Sequence, residues 1–213
     1  YFTFAYSNNV NAGENTAAVT ITGKGNYSGT VTLNFTIKKR PVVFSAVSEE
    51  KTYSGSEIKI EGLTVNSGTN AGLVTGHKHN VKFAASGTEA SDTAYQGTIT
   101  DKSAVVITLA DGTTVVTDNY DITVNNGTLK IKQTEEAFTV SLPKDSHVYS
   151  GLDQYNTKTA SDTARTGTTK YEYSFTDGSG YVSDLKTLTK KDVGDYTIYV
   201  KATNPNDKNA ATT

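Results

Sequence analysis

Two short motifs recur along this chain at nearly the same spacing. An Asn-Tyr pair at Asn26-Tyr27 returns at Asn119-Tyr120, and a Tyr-Ser-Gly triplet at Tyr53-Ser54-Gly55 returns at Tyr149-Ser150-Gly151. Both markers give a period of about 95 residues, and a fixed period indicates repeated structural units. We therefore predict that the chain contains parts of an array of similar units, which limits each unit to a small fold.

Alternation of apolar and polar side chains marks the strands of these units. The stretch Val31-Thr32-Leu33-Asn34-Phe35-Thr36-Ile37-Lys38 alternates throughout and follows the first Asn-Tyr pair, while Gly127-Thr128-Leu129-Lys130-Ile131-Lys132 follows the second. Alternation with period two places one set of side chains on each face of a strand. The expected core-facing sets are Ala17, Val19 and Ile21; Val105, Ile107 and Leu109; Phe138, Val140 and Leu142; Tyr171, Tyr173 and Phe175; and Tyr196, Ile198 and Val200.

Turn residues separate these strands, and helical periodicity is nearly absent. Asp111-Gly112, Asn125-Asn126-Gly127 and Asp177-Gly178-Ser179-Gly180 are typical of tight turns. Residues 184–191 suit a helix better than the rest, and we interpret them as a crossover with one helical turn. Because the period is close to the roughly 100 residues of an immunoglobulin-like domain, we predict an all-β fold of tandem immunoglobulin-like β-sandwich repeats in an extended array.

The closing strands set the predicted domain boundaries. Residues 1–40 are interpreted as the closing part of a repeat, 41–133 as a complete repeat that opens at Pro41, and 134–213 as a repeat lacking its last strand. Short charged junctions restrict a hinge more than a flexible linker does, which favours a semi-rigid array. Because both end segments are incomplete in this interpretation, we hypothesise head-to-tail strand complementation between copies.

Composition argues against several classes of function. The 213 residues carry a net charge of −2, and the densest basic cluster, Lys38-Lys39-Arg40, fits a solvated strand end at a junction. A nucleic-acid or anionic-membrane surface would need clustered positive charge, so we expect neither partner. With no cysteine, the chain has no disulfides, thiolate metal sites or cysteine nucleophiles. No stretch approaches the roughly 20 apolar residues of a membrane span, and any export signal or anchor is expected outside this segment.

Motifs for metal binding and catalysis are weak. His77 and His79 would lie on one side of an extended strand, but no third ligand is near them in sequence, and His147 is isolated. Asp111-Gly112 and Asp177-Gly178 lack the further acidic positions of a calcium loop. No serine lies in a Gly-x-Ser-x-Gly context. We therefore predict a non-catalytic chain that holds no metal and no cofactor.

Taken together, the motifs resemble repeats of bacterial cell-surface proteins. Residues 21–37, with Gly25-Asn26-Tyr27-Ser28-Gly29, resemble the closing half of MBG-type (YGX-type) repeats. The middle segment resembles the related YDG-type repeat, with Tyr53-Ser54-Gly55 where Tyr-Asp-Gly is usual, and the last segment, with Tyr149-Ser150-Gly151, is similar to the MBG type. The resemblance covers nearly the whole chain. It implies immunoglobulin-like sandwiches stacked in long secreted or wall-attached proteins, often adhesins, and it carries over no catalytic or ligand residues.

The resemblance and the composition predict a structural stalk or adhesion segment of a bacterial cell-surface or secreted multi-repeat protein. The expected location is extracellular, in a Gram-positive bacterium, and the expected partner is a host or neighbouring-cell glycan or protein. One alternative is a glycan- or host-protein-binding immunoglobulin-like module with Tyr171, Tyr173 and Tyr181 at the ligand. Another is an accessory domain of a secreted polysaccharide-active enzyme.

The motif tyrosines and glycines have a structural interpretation. We expect Tyr27, Tyr120 and Tyr196 to bury their rings and to direct their hydroxyls to a backbone carbonyl, in the manner of a tyrosine corner. Gly55 and Gly151 are expected to meet the backbone demands of turns.

Overall fold

The computed structural model of the chain describes residues 1–163 and 166–213. Within these residues the helical elements are single 3-10 turns, Lys102–Ala104, Thr117–Asn119 and Leu185–Thr187, the last of them inside the predicted crossover. The all-β prediction is confirmed. The strands, numbered in chain order, are β1 (Phe2–Ser7), β2 (Gly13–Gly23), β3 (Thr30–Ile37), β4 (Arg40–Ala46), β5 (Glu49–Thr52), β6 (Ile58–Ile60), β7 (Leu63–Val65), β8 (Ser67–Gly68), β9 (Ala71–Gly72), β10 (Lys78–His79), β11 (Phe83–Gly87), β12 (Tyr95–Gln96), β13 (Thr98–Ile99), β14 (Ile107–Thr108), β15 (Tyr120–Asn125), β16 (Thr128–Lys132), β17 (Val140–Ser141), β18 (Ser161–Asp162), β19 (Lys170–Ser174), β20 (Tyr199–Thr203) and β21 (Ala211–Thr212).

The chain forms two compact units, each with its own hydrophobic core. The first unit consists of Tyr1–Ser48, Ile60–Ala85 and Gln96–Thr128. The second consists of Glu49–Lys59, Ser86–Tyr95 and Leu129–Thr213. The predicted segment boundaries after residues 40 and 133 rest on the sequence repeat, and they stay a prediction.

A parallel strand pair lies at the centre of the first unit. β4 pairs with β15 in parallel, with Val42 opposite Ile122, and β7 pairs with the other edge of β4 in antiparallel fashion. Since successive side chains point to opposite faces, each strand contributes alternate residues to the core. One cluster of buried residues forms the core around this strand pair, and it consists of Val42, Phe44, Val81, Val105, Ile107, Tyr120 and Ile122.

The core prediction for residues 105–109 is confirmed at two positions and wrong at the third. Val105 and Ile107 are buried, whereas Leu109 is 37% exposed. Leu109 follows the end of β14 and opens a turn, in which its backbone N–H donates to the carbonyl of Thr114. Alternation therefore stops predicting burial where the strand ends.

Asp111-Gly112 forms this turn, as the sequence predicts. The Asp111 carboxylate accepts hydrogen bonds from the backbone N–H groups of Thr113 and Thr114, at 2.8 and 2.9 Å, and from the Thr114 hydroxyl. Gly112 has φ of +75°, a conformation that glycine adopts without steric cost. The Thr114 hydroxyl and the two N–H groups stabilise the charged carboxylate and lower the pKa of Asp111 to about 2.

Asp111 should therefore add a pH-dependent contribution to stability. Its pKa is lower in the folded chain than its ordinary value of 3.8, so the unfolded chain takes up this proton first as the pH falls. The contribution is present above about pH 4 and is lost as the pH falls toward about 2. We expect Asp111→Asn to lower the thermal midpoint above about pH 4 and to match the wild type near pH 2. Melting curves followed by circular dichroism test this, and a difference that stays constant across the range would contradict it.

The second unit packs its core on an antiparallel sheet. β20 lies between β19 and β21, with Tyr173 opposite Val200 and Ala202 opposite Ala211. β21 occupies one edge of β20. That residues 134–213 form a repeat lacking its last strand stays a prediction. One cluster of buried residues forms the core on this sheet, and it consists of Phe138, Val140, Ala160, Tyr173, Val200, Ala202 and Ala211.

Tyr196 departs from its predicted place in this core. The residue is 45% exposed, and β20 begins only at Tyr199, so the alternation through Tyr196 is not that of a strand. Its ring lies beside Phe175, with the ammonium of Lys190 5.2 Å from the Tyr196 centroid. Ile198 and Val200 lie in or against the core as predicted.

Polar side chains are also buried in the second unit, and Asn206 is the most deeply buried of them. Its side-chain carbonyl accepts from the backbone N–H of Ala90 at 2.7 Å. Its amide donates to the carbonyl of Thr166 at 3.0 Å and to the carboxylate of Glu89. One fully buried side chain thereby joins two separate stretches of the chain, Glu89-Ala90 and Thr166.

Candidate interaction surface

The sheet of β1, β2 and β3 has two chemically different faces. The strands are antiparallel, with Phe4 opposite Ile21 and Ile21 opposite Val31. Because side chains alternate between the faces of a strand, this register collects apolar residues on one side. We call this surface the aromatic face, and it consists of Phe2, Phe4, Tyr6, Val19, Ile21, Val31 and Leu33.

Most of the aromatic face is open to solvent. Phe4 and Tyr6 are each 61% exposed, and Leu33 is 54% exposed. Phe2 packs beside Tyr27, a residue of the turn between β2 and β3, with ring centroids 5.5 Å apart. A contiguous apolar surface of this kind is typical of an interaction site, because soluble proteins usually bury such area.

The opposite face of the same sheet is polar. The hydroxyls of Thr20 and Thr32 lie 3.1 Å apart, and those of Thr22 and Thr30 lie 3.4 Å apart, so each pair can share a hydrogen bond. Glu14 is the sole Asp, Glu, Lys, Arg or His in the three strands, and it lies where the register shifts between Gly13 and Ala17. The aromatic face itself is therefore uncharged.

The three tyrosines predicted to bind a ligand lie in different environments. Tyr173 is buried, and its ring belongs to the core of the second unit. Tyr171 is half-buried and donates its hydroxyl to Asp162 at 3.1 Å, and burial together with this carboxylate raises the pKa of its phenol. Tyr181 lies near Lys201, whose ammonium is 6.0 Å from the ring centroid. Ligand binding by these residues stays a prediction, with Tyr171 and Tyr181 the more accessible pair.

The histidines of the His-x-His motif pack separately. The Nδ1 of His77 is 2.6 Å from the hydroxyl of Tyr120. The ring of His79 lies beside that of Phe44, with centroids 4.9 Å apart, and burial lowers the pKa of this imidazole. His147 faces Asp145, with 3.2 Å between Nε2 and the carboxylate. The described residues contain no group of three or more His, Asp or Glu side chains placed to hold a metal ion.

The tyrosine-corner interpretation holds only in part. Tyr120 is buried, but its hydroxyl accepts from the backbone N–H of Val74 at 3.1 Å rather than donating to a carbonyl. Tyr196 does donate to a carbonyl, that of Asp192 at 3.0 Å, although its ring is partly exposed. Tyr27 is 59% exposed and packs against the aromatic face. The motif therefore does not assign one role to its tyrosine.

Loss of the tyrosine hydroxyl should have different effects on stability at Tyr120 and at Tyr27, the two tyrosines of the repeated Asn-Tyr pair. We expect Tyr120→Phe to lower the free energy of unfolding by about 1–2 kcal/mol, because the backbone N–H of Val74 and the ring of His77 lose the partner that the buried tyrosine provides. The matched change Tyr27→Phe should alter it by less than about 0.5 kcal/mol, since that ring is exposed. Urea unfolding of both variants measures the two free energies of unfolding. Equal losses would contradict the claim that only the Tyr120 hydroxyl stabilises the fold.

The Tyr-Ser-Gly marker also has one buried and one exposed copy. Tyr53 is 6% exposed, and its hydroxyl is 2.5 Å from that of Thr166, beside a groove that Glu136 and Ala137 also line. Tyr149 is 61% exposed. The sequence interpretation missed this difference, since the two copies have identical letters.

Comparison with protein-family models, with curated proteins and with solved structures finds no match to this chain. Among the described residues, no helix has the length and apolar character needed to cross a membrane.

Proposed function

We propose that the chain is a structural stalk or adhesion segment of a bacterial cell-surface or secreted multi-repeat protein. In this proposal it is extracellular and non-catalytic, and it consists of MBG- or YDG-type immunoglobulin-like repeats. The observation that supports it is the presence of two separate cores. One core draws its residues from within 42–124 and the other from within 138–211, so each falls inside one predicted repeat. An array of modules with separate cores can lengthen without enlarging any single core.

The strand order of the first unit also suits a chain under tension. β4 and β15 stand near the two ends of the predicted middle repeat, and they pair in parallel over Arg40–Ser45 and Tyr120–Asn125. Force on the two ends of that segment acts along these strands and loads several hydrogen bonds together. Such a shear geometry resists extension better than one in which the bonds break one after another.

Force spectroscopy on single molecules tests this role. Stretching the 213-residue chain between two handles should give two unfolding events, one for each core. Val42→Asp places a charge in the first core and should remove one event. Val10→Asp is the matched control, because Val10 is 84% exposed, and it should leave both events. Smooth extension of the wild type without resolved events would contradict the stalk proposal.

A ligand-binding module is the second candidate, favoured by exposed aromatic residues in the second unit. Tyr149 and Tyr155 are both exposed, and exposed tyrosines are suited to stacking on sugars or on a protein partner. A glycan array and a host-protein screen with the intact chain distinguish the candidates. Binding that Tyr149→Ala or Tyr181→Ala abolishes would favour the module, and a clean negative result would favour the stalk.

A further inference from the structure

We propose that the aromatic face of β1, β2 and β3 binds the same face of a second copy of this chain. The two three-stranded sheets would pack face to face, with the aromatic rows in the interface. This interaction is distinct from strand complementation, which would use the edges of sheets. It does not depend on the stalk role, and a strictly monomeric chain would leave that proposal standing.

The first argument is the area that the aromatic face offers. Within this face Phe2, Phe4 and Tyr6 are 56–61% exposed, and Val31 and Leu33 are exposed by about half; Tyr27, which packs beside Phe2, adds a further exposed ring. Since a whole aromatic side chain has about 150–250 Å² to bury, the exposed parts of these groups together present roughly 500–750 Å² per copy. A stable interface of standard size buries about 800 Å² per partner. The patch thus lies in the lower part of the range for stable dimers, about 600–1,000 Å² per partner, and is comparable to or larger than the largest patch of an ordinary monomer, about 300–600 Å².

The second argument is the absence of charge from this face. A two-fold interface brings each patch against its own copy, so any charged group near the axis would meet a like charge. The aromatic face contains no ionisable group other than tyrosine, and phenylalanine and tyrosine are enriched at the centres of interfaces. A heterologous partner recognised by opposite charge would find nothing to pair with here. A second copy meets no repulsion.

The third argument is the gradient of side-chain size across the sheet. β1 contributes the large rings Phe4 and Tyr6, while β3 contributes the smaller Val31 and Leu33, with Ile21 between them. A two-fold axis parallel to β2 places β1 of one copy over β3 of the other. Large residues then face small ones in both halves of the interface, which lets two sheets pack at about 10 Å without clash or void.

Sedimentation velocity of the intact chain tests the proposal. We expect a dimer at roughly 100 µM that dissociates on dilution. Phe4→Lys should weaken association at least about 30-fold, because a lysine would be buried without a partner. Ala5→Lys is the matched control, since Ala5 is the next residue of β1 and points to the opposite face, and it should leave association unchanged. Leu33→Lys repeats the test from β3.

Three results would overturn the proposal. A wild-type chain that stays monomeric at this concentration removes the interaction. A dimer that survives both Phe4→Lys and Leu33→Lys uses another surface, such as the sheet edges required by strand complementation. A dimer that Ala5→Lys disrupts as strongly as Phe4→Lys does not use the aromatic face specifically. Circular dichroism and thermal melting of each variant show that the sheets remain folded while association is measured.

Discussion

Replacing Phe44 with alanine is expected to lower the free energy of unfolding of the first unit by about 3–5 kcal/mol. Phe44 is fully buried on β4, between β7 and β15, and its ring also lies beside that of His79. The truncation removes a large apolar surface from the core and leaves a cavity that paired strands on both sides cannot close.

A second phenylalanine provides the control for this experiment. Phe4→Ala is the same chemical change on β1, where the side chain is 61% exposed, and below the dimer concentration it should cost less than about 0.5 kcal/mol. Urea unfolding can be followed by tyrosine fluorescence, because the chain has no tryptophan. A loss below about 1 kcal/mol for Phe44→Ala would show that the residue does not lie in a packed core.

Replacing Asn206 with leucine is expected to lower the free energy of unfolding of the second unit by about 3–5 kcal/mol. The leucine side chain branches at the same carbon, so the change removes the hydrogen bonds without opening a cavity. The backbone N–H of Ala90 and the carboxylate of Glu89 would each lose a partner, while the carbonyl of Thr166 keeps the amide of Asn204 at 3.2 Å. Each buried polar group left without a partner costs about 1–3 kcal/mol, and a charged group costs more.

Asn34 on β3 offers the matched control, since its side chain is exposed. Asn34→Leu should change the free energy of unfolding by less than about 0.5 kcal/mol. Urea unfolding of the two variants gives both values. If Asn206→Leu were as stable as the wild type, the polar contacts of Asn206 would contribute nothing net to the fold.

Alternation in the sequence predicted individual strands well. The predicted strand Val31–Lys38 corresponds to β3, Thr30–Ile37, and the echo near residue 130 corresponds to β16. Pairing could not be predicted in the same way. β3 pairs in antiparallel fashion with its neighbour β2, whereas β16 pairs in parallel with β5, which lies far earlier in the chain. The alternation within a strand shows which of its faces is apolar. Which other strand it pairs with depends on contacts between residues far apart in the sequence.

The aromatic face is a second case in which the sequence predicts a strand but not its surroundings. The pattern Phe2-Thr3-Phe4-Ala5-Tyr6 carries the alternation of a strand with one buried side, and it could have been noticed in the sequence. Alternation does not tell whether another layer covers the apolar side. The exposure of Phe4 becomes visible only once the positions of all other elements are known. The predicted ligand tyrosine Tyr173 is the converse case, since the tertiary structure places it in a core.

The two repeated motifs show which features the sequence determines and which depend on the tertiary structure. The sequence by itself determined the period, the strands and the turns. Gly55 and Gly151 adopt nearly the same left-handed conformation, with φ of +82° and +72°, because a turn depends on local backbone sterics. The tertiary structure alone decided burial. Tyr120 is buried and Tyr27 exposed, just as Tyr53 is buried and Tyr149 exposed, because burial depends on the distant residues packed around each ring.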